Sequence, residues 1–155
     1  GTFNMARFAL PGMVERGWGR LINVTTTFQT MLASDFGAYG PSKACIEAMT
    51  AILSDELTGT GVTVNVVVPG GPADTEQIPP GMVPDRAALL RPSVMVPPIA
   101  WLCSDEAAAV TSQRFAAADW DPELPRAAAL AKATRPVAWR QLVEPLIMPE
   151  GVEMP

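Results

Sequence analysis

The run Val62-Thr-Val-Asn-Val-Val-Val68 limits most strongly what this chain can fold into. All but Asn65 are β-branched, stiff at χ1 and suited to a pleated surface. Pro69-Gly-Gly-Pro72 follows and stops the run, because proline donates no hydrogen bond to a ladder. The segment reads as a strand. Arg20-Leu-Ile-Asn-Val-Thr25, introduced by the turn Gly17-Trp-Gly19, reads as a second, buried strand. Between them lies Pro41, and proline is tolerated only in the first turn of a helix, so a helix begins near Ala38. Strand, helix, strand predicts an α/β fold on a parallel sheet. Arg114 to Ala118 adds a short final strand, which makes three, near 20–25, 62–68 and 114–118, joined by right-handed crossovers.

That predicted helix carries the chain's single tyrosine, Tyr39, and one of its two lysines, Lys43, four residues on. A spacing of four places both side chains on one face. At about 5 Å and an effective dielectric of about 20, an ammonium favours a phenolate by about 3 kcal/mol. The helix amino terminus favours it further. Such a pair is a general-acid device; alone it could equally be a half-buried tyrosine beside an unrelated surface lysine. Ligands in open α/β sheets bind beyond the carboxyl ends of the strands. Thr26, Tyr39, Lys43 and the loop from Pro69 to Thr75 are expected to converge there.

These motifs resemble those of the short-chain dehydrogenase/reductases: Gly19-Arg-Leu-Ile-Asn-Val-Thr-Thr26, then Tyr39-Gly-Pro-Ser-Lys43 with Tyr39 thirteen residues after Thr26, then Asn65-Val-Val-Val-Pro-Gly70 and Asp74-Thr75. The resemblance covers about residues 1 to 118 and leaves 119–155 as a proline-rich carboxyl-terminal tail. It implies the carboxyl half of a Rossmann-like, doubly wound parallel sheet. It implies hydride transfer between NAD or NADP and a small-molecule carbonyl or alcohol in the complete protein. Tyr39 is then the general acid/base, Lys43 tunes it and holds the nicotinamide ribose, and Thr26 fixes the substrate oxygen. Tyr39, Lys43, Pro69, Gly70, Gly71 and Thr75 would contact the cofactor, and Thr26, Phe28 and Tyr39 the substrate.

The chain departs from the pattern at several points. Threonine stands at 26 where the family has serine; its methyl and stiff χ1 restrict the aim of the hydroxyl. The loop before Thr75 has one extra residue. Arg114-Phe-Ala-Ala-Ala118 runs into Asp119-Trp-Asp-Pro122 instead of a glycine-rich end. The family's phosphate-binding glycine loop and its catalytic asparagine belong to an amino-terminal half that precedes Gly1. Gly17-Trp-Gly19 is no substitute, since it precedes a strand, whereas a dinucleotide fingerprint follows one. By itself the chain is therefore expected to bind no dinucleotide. The competing reading is a catalytically inactive fragment or truncated relative that serves only as an oligomerisation or interaction module.

Composition narrows the classes. Histidine is absent, which excludes Ser-His-Asp and Cys-His chemistry and removes the usual zinc ligands, so no metal is expected. A net charge of −5 without a basic run argues against nucleic acid. No apolar run is long enough to span a membrane, and a cytoplasmic location is expected. Cys45 and Cys103 both fall in predicted helices and read as buried, inert thiols.

Gly1 to Arg16 is a helix with apolar residues on more than one side, which Pro11 is expected to kink. Between Ala44 and Leu53 the only charge is Glu47. In the resembling family these two helices meet their copies, so a homodimer or homotetramer through 1–16 and 39–57 is expected. Thr75 to Pro98, with Met82, Val83, Met95 and Val96, is expected to close over an apolar part of the substrate. Ser93 to Asp105 reads as a helix. In the tail, Glu123 to Ala133 reads as one short helix and the rest as an arm on the surface or on a neighbour.

Overall fold

A computed structural model of the chain describes residues 1–144. Helix α1 (Thr2–Glu15) leads into strand β1 (Gly19–Val24), followed by the short α2 (Phe28–Met31) and the long α3 (Tyr39–Glu56). Strand β2 (Val62–Val68), helix α4 (Val96–Leu102), strand β3 (Gln113–Ala116), helix α5 (Arg126–Ala133) and strand β4 (Thr134–Pro136) complete the order. The sheet runs β1-β2-β3-β4. The first three strands are parallel, with Val24 beside Val67 and Val68 beside Ala116. The three expected strands are present within a residue or two. β4 is an addition: it returns antiparallel to β3 and pairs Arg114 with Arg135.

Every residue of β2 is buried, as the central strand of a sheet covered on both faces must be. Two polar residues, Thr63 and Asn65, interrupt its valines, and Asn65 is hydrogen-bonded through both ends of its amide. Its amide donates to the Val110 carbonyl at 2.7 Å and its oxygen accepts from the Gln113 N–H at 3.0 Å. Asn65 thereby ties β2 to the start of β3. One face of the sheet carries an aromatic core in which Val67, Leu102 and Phe115 meet Trp101 and Trp120, whose ring centroids lie 5.1 Å apart. Ala129 and Ala133 of α5 close this core. The described part of the tail is thus built into the domain and is no surface arm, because Trp120 and the small residues of α5 fill space that β3 alone leaves open. The tail beyond residue 144 lies outside the described residues.

The other face is covered by α3, and its inner surface is polar. At about 100° per residue, Tyr39, Lys43, Glu47, Thr50 and Ser54 share a stripe about 80° wide. The buried residues of α3 are Gly40, Glu47, Thr50 and Ser54. Asn23 of β1 donates to Thr50 at 2.9 Å. The opposite side of α3 carries Ile52, which is 57% exposed.

Two expectations are corrected, the burial of the cysteines and the extent of the helix over 93–105. Cys45 and Cys103 are both exposed, Cys45 because it sits on the outward side of α3 and Cys103 because it caps α4. Helix α1 runs from Thr2 to Glu15 with Pro11 inside it. Both Pro11 and Arg7, whose carbonyl loses its helical partner, are exposed, so that carbonyl is open to solvent. The helix expected over 93–105 is α4 alone, preceded by a 3-10 turn over Pro92–Met95.

Candidate active site

Parallel strands end on one edge, and the loops leaving that edge are stitched together. The Thr25 N–H donates to the Val67 carbonyl at 3.4 Å, and the Ala118 N–H donates to the Pro69 carbonyl at 3.0 Å. Thr26, the Pro69-Gly70 turn and Ala118 therefore leave three adjacent strands side by side. Gly70 is left-handed (φ +94), and a Cβ there would meet the Ala118 Cβ at 3.0 Å. Only glycine satisfies both demands.

Tyr39 opens α3 directly after its cap, Ala38. Its half-buried ring rests 5.8 Å from that of Phe36. One turn on, the Lys43 ammonium donates to the Val24 carbonyl at 3.1 Å and lies 5.6 Å from the centre of the Tyr39 ring. An ammonium carries three N–H donors, and the carbonyl takes one. Lys43 is thereby aimed at the carboxyl end of β1 with hydrogen-bonding capacity to spare. Gly40 approaches the Met31 carbonyl so closely that a Cβ could not be placed without a shift, which seats the start of α3 on α2.

Thr26 is half-buried, and its carbonyl accepts from Arg114 Nη2 at 2.6 Å. Phe28 follows, its ring 4.3 Å beneath the Arg114 guanidinium and 5.7 Å from Trp139. Gly71 and Thr75 belong to a separate knot in the next loop. Gly71 faces the Leu90 side chain. Thr75 is exposed, and its carbonyl accepts from Arg86 at 3.0 Å. Arg86 also pairs with Asp74 and caps the Ile78 carbonyl, so one guanidinium gathers the loop. Met82 and Val96 are exposed in this region.

The residues that sequence reasoning passed over are Glu47 and Arg114. Glu47 is wholly buried on α3 and forms an ion pair with Arg114 of β3. Its carboxylate accepts from the Thr25 hydroxyl at 2.6 Å and, through the other oxygen, from the Ala138 N–H at 3.1 Å. Arg114 Nη1 also donates to the Thr25 hydroxyl, at 3.1 Å. Burial pulls the Arg114 guanidinium below its ordinary value, and the Glu47 charge opposes that pull; it remains a cation at neutral pH. The available signal was a lone acid in the apolar middle of a helix and a lone base in a short strand.

Two hollows, of about 110 and 270 Å³, are lined by Arg114, Asp119, Lys132 and Arg135 and by Val110, Thr111, Gln113 and Leu130 respectively. Neither is lined by Thr26, Tyr39 or Lys43. Among the described residues no cluster of His, Cys, Asp or Glu could hold a metal, and no helix is long and apolar enough to cross a membrane.

Residues 1–78 match the short chain dehydrogenase family. The chain belongs to that family. It is 41% identical over 85 residues to an NADPH-dependent aldehyde reductase-like protein, chloroplastic, of Arabidopsis thaliana, a match covering 55% of this chain and 31% of the relative. A solved short chain dehydrogenase from Salmonella enterica serovar Typhi superposes with a TM-score of 0.67 at 27% identity, over 75% of this chain and 48% of the other. A Beutenbergia cavernae structure, assigned as an NAD(P) dependent gluconate 5-dehydrogenase and holding NADP at low occupancy, gives a TM-score of 0.62 at 27% identity. That match covers 71% of this chain and 48% of the other. The chain thus spans about a third of the curated relative and about half of the solved ones. The doubly wound, Rossmann-like parallel fold expected from the sequence is the fold of these neighbours.

Proposed function

We propose that this chain supplies the proton-handling and substrate-orienting half of an oxidoreductase that interconverts a small carbonyl compound and its alcohol with NAD or NADP. One observation carries the reading: Tyr39 and Lys43 lie on one stripe of α3, with Lys43 bonded to the last carbonyl of β1. A phenol and an ammonium at the carboxyl end of β1 would suit the position at which open α/β sheets bind ligands. The aldehyde reductase-like relative and the NADP-bound neighbour agree with the chemistry.

The donor set suits the ribose and nicotinamide end of a dinucleotide. Lys43 has free N–H donors for ribose hydroxyls, and Pro69, Gly70 and Gly71 leave the adjacent strand as a close-packed turn. Gly71 and Thr75 reach the cofactor only if the loop held by Arg86 borders the same space. Among the described residues no glycine turn leads directly from a strand into a helix amino terminus, the usual pyrophosphate cradle. When bound, the nicotinamide supplies or accepts the hydride. Tyr39 gives or takes the proton at the substrate oxygen, Thr26 hydrogen-bonds that oxygen as its charge develops, and Phe28 offers an apolar surface beside it.

The same reading includes a homodimer or homotetramer. Phe3, Met5 and Phe8 on α1 and Ile52 on α3 are exposed, the first three at 64%, 70% and 81%. Apolar surface of this kind marks an interface. Two unpaired cysteines suit the expected cytoplasmic setting.

The test is Tyr39→Phe in the enzyme that carries this chain together with a dinucleotide-binding half. Turnover should fall by about 10²-fold or more, because the proton donor is lost, while cofactor affinity stays within about twofold. A Tyr39→Phe enzyme that keeps a tenth of kcat would remove general acid catalysis from this residue.

A further inference from the structure

We infer that Glu47 and Arg114 are positioning residues for Thr26, and that the carboxyl-terminal segment at Ala138 and Trp139 is part of the same clamp. The inference rests on the oxidoreductase reading above and extends it to residues that would touch neither substrate nor cofactor.

Geometry sets the argument. Thr26 lies past the end of β1, where no ladder bond fixes the backbone. Arg114 reaches it from β3, on the far side of β2, and donates to the Thr26 carbonyl at 2.6 Å. The preceding residue is held from two sides: the Thr25 hydroxyl donates to Glu47 and accepts from Arg114. Phe28, two residues later, is stacked under the same guanidinium. Residues 25, 26 and 28 are therefore each fixed by one buried cation. Arg114 in turn cannot wander, because Glu47 is on α3, one turn beyond Lys43 and two beyond Tyr39. The clamp thus sets the distance between the turn that carries Thr26 and the helix that carries Tyr39.

The planar fork of arginine is needed for this. One Nη serves Glu47 and Thr25 while the other serves Thr26. A lysine at 114 would retain a charge for Glu47 but present a single point donor. The last member is Ala138, left-handed at φ 57, which turns its N–H onto the second Glu47 oxygen. Trp139 then stands 5.7 Å from Phe28 and backs the aromatic wall next to Thr26. The segment following β4 therefore bears on the candidate site through Glu47 and Phe28.

The experiment uses the complete enzyme and measures kcat, KM, cofactor affinity and thermal midpoint together. Arg114→Lys should lower kcat by about tenfold to a hundredfold, as a misplaced orienting group does, with cofactor affinity within twofold. Glu47→Gln serves as the second variant should the first fold poorly, and it should show the same split. In a Thr26→Val background, Arg114→Lys should cost less than threefold more, because the group it positions is already gone. Losses that multiply fully across Thr26→Val and Arg114→Lys would overturn the inference. So would an Arg114→Lys enzyme with unchanged kcat, or one whose kcat, cofactor affinity and thermal midpoint fall together as in general loosening. Tyr39→Phe is run alongside: if it stays active, the functional reading fails; if it is inactive while Arg114→Lys is unaffected, only the clamp fails.

Discussion

Removing the Arg114 cation without replacing it should be among the most damaging single changes in this chain. In Arg114→Met the Glu47 carboxylate, which has no exposed surface, keeps only the Thr25 hydroxyl and the Ala138 N–H. Breaking a buried pair by deleting one partner costs about 3–5 kcal/mol, because the remaining charge is desolvated and uncompensated. The Thr26 carbonyl also loses its donor, worth about 1 kcal/mol. A total near 5 kcal/mol corresponds to a fall of about 10–20 °C in thermal midpoint for a chain of this size. Glu47→Leu should cost a similar amount, since it strands the guanidinium. The double variant removes both charges at once and should lose only about 2 kcal/mol, the cost of leaving polar groups such as the Ala138 N–H unpaired. Urea unfolding of the four proteins therefore should give a coupling of at least about 2 kcal/mol. Contrast comes from Arg140–Asp55, an exposed pair at 2.7 Å, where Asp55→Ala should cost less than about 1 kcal/mol. Additive losses below about 1 kcal/mol each for Arg114→Met and Glu47→Leu would show that water reaches the pair and that the reasoning from burial is wrong.

Two further outcomes follow from geometry elsewhere. Gly61 is left-handed at φ +78 and faces the Gly17 carbonyl, with no room for a Cβ; Gly61→Ala should lower stability by about 2–3 kcal/mol, read by urea unfolding, and a loss under 0.5 would mean the turn re-forms freely. Phe8→Glu puts a charge on the exposed face of α1; sedimentation should show a smaller assembly with an unchanged circular dichroism spectrum, and an unchanged assembly would place the contact elsewhere.

The parts of the fold set by local chemistry were legible in the sequence. Val62–Val68 has one reading because its β-branched run leaves no helical alternative, and Pro41 fixes the start of α3 to within a residue. What was hidden is set by long-range pairing. Strand β4 is three residues long, Thr-Arg-Pro, with no pattern of its own; it exists because β3 offers an edge. Trp120 looked like tail because nothing nearby in sequence shows that Trp101 packs against it on one face of the sheet. The candidate site divides likewise. Tyr39 and Lys43 are four residues apart on one helix, so their partnership is local. Thr26, Glu47 and Arg114 come from three elements, and Arg114 is 88 residues from the carbonyl it holds.

The polar inner face of α3 turns on the same distinction. A helix from Tyr39 to Glu56 with apolar character on several sides would ordinarily turn its apolar residues to the sheet. Here Ile52 and Cys45 face outward, while Glu47, Thr50 and Ser54 face in. Valine or leucine at 47 could bury comparable area against β2 but would leave α3 free to slide, since apolar contact is non-directional. A carboxylate with three fixed partners permits one register. One turn of slippage would move Tyr39 about 5.4 Å along the helix axis, more than a hydrogen bond can span. Glu47, Thr50 and Ser54 thus fix α3 against the sheet by directional bonds, while Ile52 and Cys45 lie where α3 meets solvent.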